Sequence, residues 1–551
     1  MIAEIKTTKD EEKRLETLSP FELKDKLIAL ASSRSRKSSA LMLNAGRGNP
    51  NWIATTPREA FFTLGLFAME ESRRTMNADK DMAGMPQKEG IAERFDKFLK
   101  KNNQLPGIDL LKASLAYGLE KHAFIADEYV HELADSLIGD NYPTPVRMLP
   151  HAEVIVREYL DKEMCNSRPP EGKFDLFAVE GSTAGMCYIF DSLMENFLVN
   201  KGDKIALLVP TFTPYIEIPE LDRNSFEVVN IQASATTKDG LHTWQYPDEE
   251  IDKLKDPSIK VVFVVNPSNP PSYAIHPDTI KRLIGIVKEE NPRMMVISDD
   301  VYGTFVPGFR SLMAELPNNT LCAYSFSKYF GCTGWRLGVI AVHQNNIYDQ
   351  LLAELPAEKK ELLKKRYSSL SLDPEKIKFV DRMVADSRSV ALNHTAGLSI
   401  PQQAQMTLFS LFALLDKPGK YKKLTQGLIQ KRLNLLWSSV GFTVPADPLR
   451  AGYYAEIDMM LWSVKFYGNK FAEYLKKNFD PVDILFRLAE EHAIVLLNGG
   501  GFDGPVWSIR VSLANLDTPD YENIGKAIKE ILHEYATDWK SKTTDNPTLH
   551  V

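Results

Sequence analysis

The sequence predicts an α/β protein built on a mainly parallel sheet covered by helices, with a smaller α+β domain and helical insertions. Three observations carry this. Short continuous apolar runs at 205–209, 261–265, 294–297, 321–324 and 337–342 alternate with helical stretches; strands apolar on both faces are buried on both faces, as in a parallel sheet sandwiched by helices. The distinctive polar segments fall at the ends of these runs, where ligands of such sheets gather. Beyond residue 430, mixed segments at 453–457 and 494–497 lead into 506–512, the pattern of a smaller α+β unit.

With 551 residues, 44% apolar and 25% charged, the chain can build several domains and has an ordinary globular enzyme composition. The net charge of −7 includes no large basic block, which argues against a nucleic-acid surface and leaves small anionic substrates to locally placed arginines. Cys165, Cys187, Cys322 and Cys332 show neither a C-x-x-C spacing nor a disulfide framework, so a reducing compartment is expected. No apolar leader opens the chain and no run of about 20 apolar residues could span a bilayer, so the expectation is cytoplasmic, with no membrane partner and no metal.

Taking the chain in order, Ser19-Pro20-Phe21-Glu22 is a capping box with proline at the first helical position and predicts a helix to about residue 33. In the next loop Gly46 and Gly48 flank Arg47, which lets backbone approach a ligand closely beside the arginine; a turn with an exposed arginine reads the same way. Thr56-Pro57-Arg58-Glu59 opens a second capped helix, and the text stays helical to about residue 140, with apolar positions such as Leu110, Leu111 and Leu115. A helix over 152–163 follows. The stretch 174–180 then reads as a strand feeding Gly181-Ser182-Thr183-Ala184-Gly185, with Met186, Ile189, Phe190 and Leu193 behind it at helical spacing. Strand, glycine-hydroxyl turn and helix N-terminus make an anion site, because unpaired N–H groups and the positive end of the dipole face the loop. Taken alone, the turn is also an ordinary N-cap. Likewise Asp299-Asp300 reads as a helix cap, or as a ligand-facing acid set between a buried strand and Tyr302.

The segment 324–338 carries the chemistry. Lys328 sits among Ser325, Ser327, Gly331, Gly334, Gly338 and Arg336. A lysine becomes a covalent catalyst only where its amine can deprotonate, and a Schiff base to an aldehyde cofactor provides that state. Two hydroxyls just before it and a guanidinium eight residues after it are what a phosphate handle requires. Together they read as a pyridoxal 5′-phosphate site with Lys328 as the catalytic residue.

The S-x-S-K-x-x-G-x-x-G-W-R-x-G spacing resembles the cofactor-lysine segment of the fold-type I aminotransferases of the aspartate family, and the chain as a whole is similar to the bacterial aspartate 4-decarboxylases. The resemblance implies a fold-type I pyridoxal-phosphate-dependent transferase fold with a seven-stranded sheet. It also implies roles. Ser182, Thr183, Ser325, Ser327 and Arg336 would hold the phosphate, with Tyr142 reaching it from the neighbouring subunit. Phe212 would stack on the pyridine ring, Asn269 and Tyr302 would bond its hydroxyl oxygen, and Asp299 would keep its nitrogen protonated. Arg510 would grip the substrate α-carboxylate beside Asn269. Where aspartate aminotransferases carry the arginine for the distal carboxylate, this chain has His394, with Arg388 six residues earlier. Arg47 is therefore expected to orient that group, with His394 as a contact from the neighbouring subunit; a lone histidine also reads as a satisfied polar residue.

On the same basis the chain divides into an N-terminal arm with part of the small domain (1–50), a helical insertion (51–141), a large cofactor-binding domain (142–429, with a helical excess at 350–388) and a small C-terminal domain (430–551), frayed after about residue 538. The implied activity is β-decarboxylation of L-aspartate to L-alanine and carbon dioxide, with aspartate aminotransferase activity on small 2-oxo acids beside it. The implied assembly is a homodimer sharing its active sites, built into a dodecamer in the resembled family. A plain aspartate or aromatic amino-acid aminotransferase shares every cofactor residue and is the alternative. A cofactor-sensing regulator would need a basic DNA-binding arm, which the mixed charges of the first 40 residues do not form.

Overall fold

The computed structural model describes residues 7–38, 41–79, 81–237, 241–388 and 397–544. Its main sheet has seven strands: β1 (Phe174–Val179), β2 (Lys204–Val209), β3 (Glu227–Gln232), β4 (Ile259–Val265), β5 (Met295–Asp299), β6 (Thr320–Ser325) and β7 (Gly338–His343). They lie side by side in the order β1-β7-β6-β5-β4-β2-β3. Only β7 runs against its neighbours, β1 and β6; the other pairs are parallel. Six of the strands match runs visible in the sequence. β3 does not, because it forms a sheet edge where most of its side chains are partly or fully exposed and so need not be apolar.

Alternate residues of one strand feed two different cores. Leu207, Phe263 and Val265 pack with Met186 and Ile189 of the helix Ser182–Glu195. Ala206, Leu208, Val262 and Val264 face the other way, against Leu283 and Ile286 of the helix Pro277–Glu289. Side chains alternate across a strand, so burial on both faces is what makes these runs continuously apolar. The helical excess near 350–388 joins the first of these cores through Tyr348, Leu363, Phe379 and Met383.

Residues 51–141 form the helices Thr55–Thr75, Ile91–Lys101, Ile108–His122 and Ala126–Ile138, with a small hairpin of Asn77–Asp79 and Met82–Ala83. Leu64, Phe67, Phe95 and Tyr129 from this segment share one core with Leu176, Tyr324 and Val339 of the sheet. Each fully buried leucine or phenylalanine there contributes roughly 1.5–3 kcal/mol. The expected cap at Thr56 is corrected: the helix begins at Thr55 behind Ala54, which has no side-chain oxygen. A tertiary contact sets the boundary instead, since Ala54 N donates to Phe330 O (3.1 Å) and Arg58 donates to Ala54 O (2.6 Å), Phe330 O (3.1 Å) and Gly331 O (2.6 Å). The insertion is thereby tied to the segment that carries Lys328.

The second sheet consists of β8 (Tyr454–Asp458), β9 (Leu497–Asn498) and β10 (Ser508–Ser512), antiparallel in the order β8-β10-β9. Leu43–Asn44 pairs in parallel with Ile494–Val495, and the helix Pro20–Ser38, longer than expected, buries Leu23 and Leu27 in the same core as the second sheet. The helix Lys420–Val440 spans both regions: Ile429 lies in the core beneath the insertion, and Leu433, Leu436 and Val440 in the core of the second sheet. The tail expected to fray after residue 538 continues as helix to Thr544, held where Tyr474 and Lys542 both donate to Asp538 (2.6 and 2.9 Å). No helix among the described residues is long and apolar enough to cross a membrane.

Candidate active site

A cavity of about 250 Å³ opens at the carboxyl ends of β4, β5 and β6. It brings together Ser182, Thr183, Phe212, Asn269, Asp299, Tyr302, Ser325, Ser327, Lys328 and Arg336, drawn from positions up to 154 residues apart, with Gly48, Asn49, Thr333 and Tyr454 completing its walls.

Lys328 lies three residues past the end of β6, and its Nζ donates to Gly48 O (3.0 Å). Glycine at position 48 leaves room at this wall of the cavity. A Cβ there would lie 2.5 Å from Tyr454 Oη and 3.1 Å from Lys328 Nζ, so the missing side chain is what lets both groups converge.

The anion cradle depends on a similar close approach. Gly181 ends the turn before the helix Ser182–Glu195 with φ of 93°, and a Cβ on it would lie 2.3 Å from an Arg336 guanidinium nitrogen. A Cβ on Gly338 would lie 2.6 Å from the Gly181 backbone. Two stacked glycines thus bring the helix N-terminus against Arg336, which donates to Glu180 O (3.1 Å) and Thr333 O (3.0 Å). Opposite them, Ser325 Oγ donates to Ser327 Oγ (2.9 Å) and accepts from Ser327 N (3.2 Å). Hydroxyls, helix N–H groups and a guanidinium make a donor set that fits a phosphate.

Asp299 closes β5 and is buried, accepting from Tyr215 Oη (2.5 Å) and Val301 N (3.3 Å). Burial pushes its carboxyl up to about 6, against the pull of the Tyr215 hydrogen bond. A buried carboxylate on a cavity wall fits a protonated ring nitrogen, the charge that would restore it to full ionisation. Asp300 has a different part, accepting from Ser298 Oγ (2.6 Å), Ser311 Oγ and Cys322 Sγ (3.2 Å). Neither acid caps a helix. The residues present therefore fit pyridoxal phosphate at both its phosphate and its ring.

Arg510, on β10, is fully buried behind Asn269 and Tyr454. It donates to Asn269 Oδ1 and Gly46 O (3.1 Å each), lies over the rings of Tyr454 (4.4 Å) and Phe502 (4.7 Å), and its Nε has no hydrogen-bond partner among the described residues. Its cross-strand neighbour Glu456 does not neutralise it, because burial pushes that carboxyl up to about 8. A buried cation without its anion fits a substrate carboxylate.

The remaining expected residues lie elsewhere. Tyr142 is 68% exposed and outside this cavity. The Arg47 side chain is exposed, so its loop meets the cavity through Gly48 and Asn49. His394 lies outside the described residues, while Arg388 is paired with Glu180 (2.6 Å). Two tyrosines went unseen in the sequence: Tyr215, which holds Asp299, and Tyr454, which stands beside Lys328. The only local signal for Tyr454 is a Tyr-Tyr pair after Gly452 at the head of a mixed strand.

Comparison with known proteins places the chain in a family. The family described as aminotransferase class I and II matches residues 183–528. The bifunctional aspartate aminotransferase and L-aspartate beta-decarboxylase of Pseudomonas sp is 47% identical over 528 residues, covering 96% of this chain and 98% of that protein. The aspartate aminotransferase of Sulfolobus acidocaldarius is 31% identical over 153 residues, 27% of this chain and 36% of its own length. Among solved structures, the aspartate aminotransferase from Rhizobium meliloti (TM-score 0.57, 14% identity, 94% of this chain and 98% of that one) and the aromatic aminotransferase from Pyrococcus horikoshii (TM-score 0.55, 16% identity, 92% and 99%) share the fold. The chain belongs to the class I and II aminotransferase family.

Proposed function

We propose that this chain removes the β-carboxylate of L-aspartate, giving L-alanine and carbon dioxide with pyridoxal 5′-phosphate as cofactor, and also transaminates aspartate. The observation that carries this reading is the single cavity holding a lysine, a buried acid and a hydroxyl-arginine cradle, in a chain 47% identical to the bifunctional Pseudomonas enzyme over nearly its full length. When bound, the cofactor supplies a protonated ring as an electron sink for bonds broken at the substrate amine's carbon and beyond it. The chain's own residues do the rest. Lys328 would hold the cofactor aldehyde and, as a free amine, would move the proton at the substrate Cα. Asp299 would keep the ring nitrogen protonated, Phe212 would pack on the ring, and Asn269 and Tyr302 would hold its oxygen. Arg510 binds the α-carboxylate with a bidentate fork.

The distal carboxylate needs looser handling, because a tight clamp stabilises the charged ground state against neutral carbon dioxide. Arg47 on its glycine-flanked loop is the group that orients it, with His394 supplied by the neighbouring subunit. A homodimer with shared sites would let the exposed Tyr142 reach the phosphate bound by the partner chain.

The test is to incubate the pure holoenzyme with aspartate and no 2-oxo acid. Alanine and carbon dioxide should accumulate in equal amounts over many turnovers. Release that stops within one equivalent of enzyme would leave only an aminotransferase. In the same assay, an Arg47→Ala protein should partition differently between decarboxylation and transamination; an unchanged ratio removes Arg47 from the mechanism.

A further inference from the structure

We propose that Tyr454 is the acid that protonates Cβ once the distal carboxylate has left. The proposal rests on the decarboxylase reading above and adds a catalytic group to it. Tyr454 is the first residue of β8, only 3% exposed, on the wall of the cavity. Its ring carries the Arg510 guanidinium at 4.4 Å, and its Oη and the Lys328 Nζ converge on Gly48. With the α-carboxylate at Arg510 and the amine near Lys328, the substrate Cβ would lie between those two groups, on the side of the cavity that Tyr454 lines. Two protic neighbours have other partners. Tyr302 Oη already donates its proton to Tyr454 Oη (3.1 Å), and Lys328 is committed to Cα.

The groups facing Tyr454 come from every element packed on it: Lys328 after β6, Arg510 on β10, Tyr302 after β5, and Tyr453 beside it in sequence. Burial raises its phenol, but the Lys328 and Arg510 charges and the Tyr302 hydrogen bond outweigh burial and leave it below the ordinary value. Such a phenol gives up its proton readily, and the Arg510 guanidinium over its ring stabilises the phenolate.

The step balances. The bond between Cβ and the distal carboxyl carbon breaks and carbon dioxide departs. The electron pair left on the substrate forms a new Cβ–H bond with the proton of Tyr454 Oη. Solvent then reprotonates the phenolate, which accounts for the one proton consumed when aspartate becomes alanine and carbon dioxide. Transamination leaves the Cβ–carboxyl bond intact and needs no such acid.

The test uses a Tyr454→Phe holoenzyme, assayed for alanine from aspartate alone and for transamination with a 2-oxo acid. Alanine formation should fall about 10²-fold, the scale of losing a general acid, with a much smaller loss of transamination. A second readout does not depend on turnover: titration of tyrosinate absorbance in the cofactor-free protein should show one phenol ionising below the rest in the unmodified chain and missing from Tyr454→Phe. Equal losses of both activities, an unchanged product ratio, or identical titrations would overturn the assignment. If Tyr454→Phe fails to fold, the unmodified enzyme still decides it. Its alanine formation should fall as pH rises through that phenol's ionisation while transamination keeps its profile there, and parallel profiles overturn the proposal. An unmodified enzyme that forms no alanine sinks the decarboxylase reading and this proposal together, whereas the other failures sink this one alone.

Discussion

Two buried acids, Asp299 and Glu456, are held in different ways. Asp299 has a phenol and a backbone N–H as partners and awaits a cationic ring, whereas Glu456 has a single donor, Ser508 Oγ (2.8 Å), and a second oxygen with no partner among the described residues. Burial raises Glu456 from an ordinary 4.5 to about 8. Below about pH 4.5 both folded and unfolded chains carry this proton, so the site costs nothing. Between that pH and about 8 the folded chain keeps a proton that the unfolded chain has lost, and stability falls as pH rises. Glu456→Gln should therefore flatten the pH dependence of the thermal midpoint. The variant should gain on the unmodified chain by on the order of a few kcal/mol at the alkaline end of that window, with no gain at its acid end. Parallel melting profiles across the window would show that Glu456 is ionised in the fold. This carboxyl was not legible in the sequence, because nothing near Glu456 announces that its strand lies beneath a buried arginine.

The unit that matters at the scale of elements is the strand-turn-helix from β1 into Ser182–Glu195, closed by the first residue of β7. Its sequence signature was readable, since the glycine-hydroxyl turn and the apolar helical spacing lie within about a dozen consecutive residues. The partner glycine on β7 was readable only as part of the lysine segment, and its contact with Gly181 follows from the antiparallel register that sets Gly338 against Val179. Gly338→Ala would force a Cβ to within 2.6 Å of the Gly181 backbone, where nothing flexible can yield. The turn must move away from Arg336. The expected outcome is a rise of about tenfold or more in the cofactor dissociation constant, equal to about 1.4 kcal/mol, with secondary structure retained by circular dichroism. Unchanged affinity in a spectroscopic titration would mean that the stacked glycines do not shape the cradle.

At the scale of the whole molecule, the proposed homodimer has each chain complete the other's site. Tyr142 stands outside its own cavity, while Lys328 lies inside it. If sites are shared, a Tyr142→Ala chain and a Lys328→Ala chain are each crippled alone. Mixed dimers would then contain one site with both residues intact. Unfolding and refolding the two variants together should restore activity well above the sum of the separate preparations; a mixture that merely adds would place Tyr142 outside the site. The helical segment 51–141 belongs to the same scale. Its core merges with one face of the main sheet, and Arg58 fastens it to the lysine segment, so it is built on the catalytic domain rather than appended to it.

Periodicity and spacing along the chain determined the fold class, six of the seven central strands, the glycine-hydroxyl turn and the grouping of Lys328 with its neighbouring hydroxyls and arginine, because each is written in a contiguous stretch whose burial or turn chemistry selects its residues. Tertiary structure decided the rest. The edge strand β3 lacked a signal because exposure relaxes selection for apolar residues. The helix at Thr55 took its start from a contact with residue 330 instead of from a local cap. The wall of the site, where Gly48, Tyr454 and Arg510 meet Lys328, is assembled from segments up to 462 residues apart, and no local pattern encodes it. Strand register and the absence of one Cβ put those groups together, and both are properties of the packed molecule.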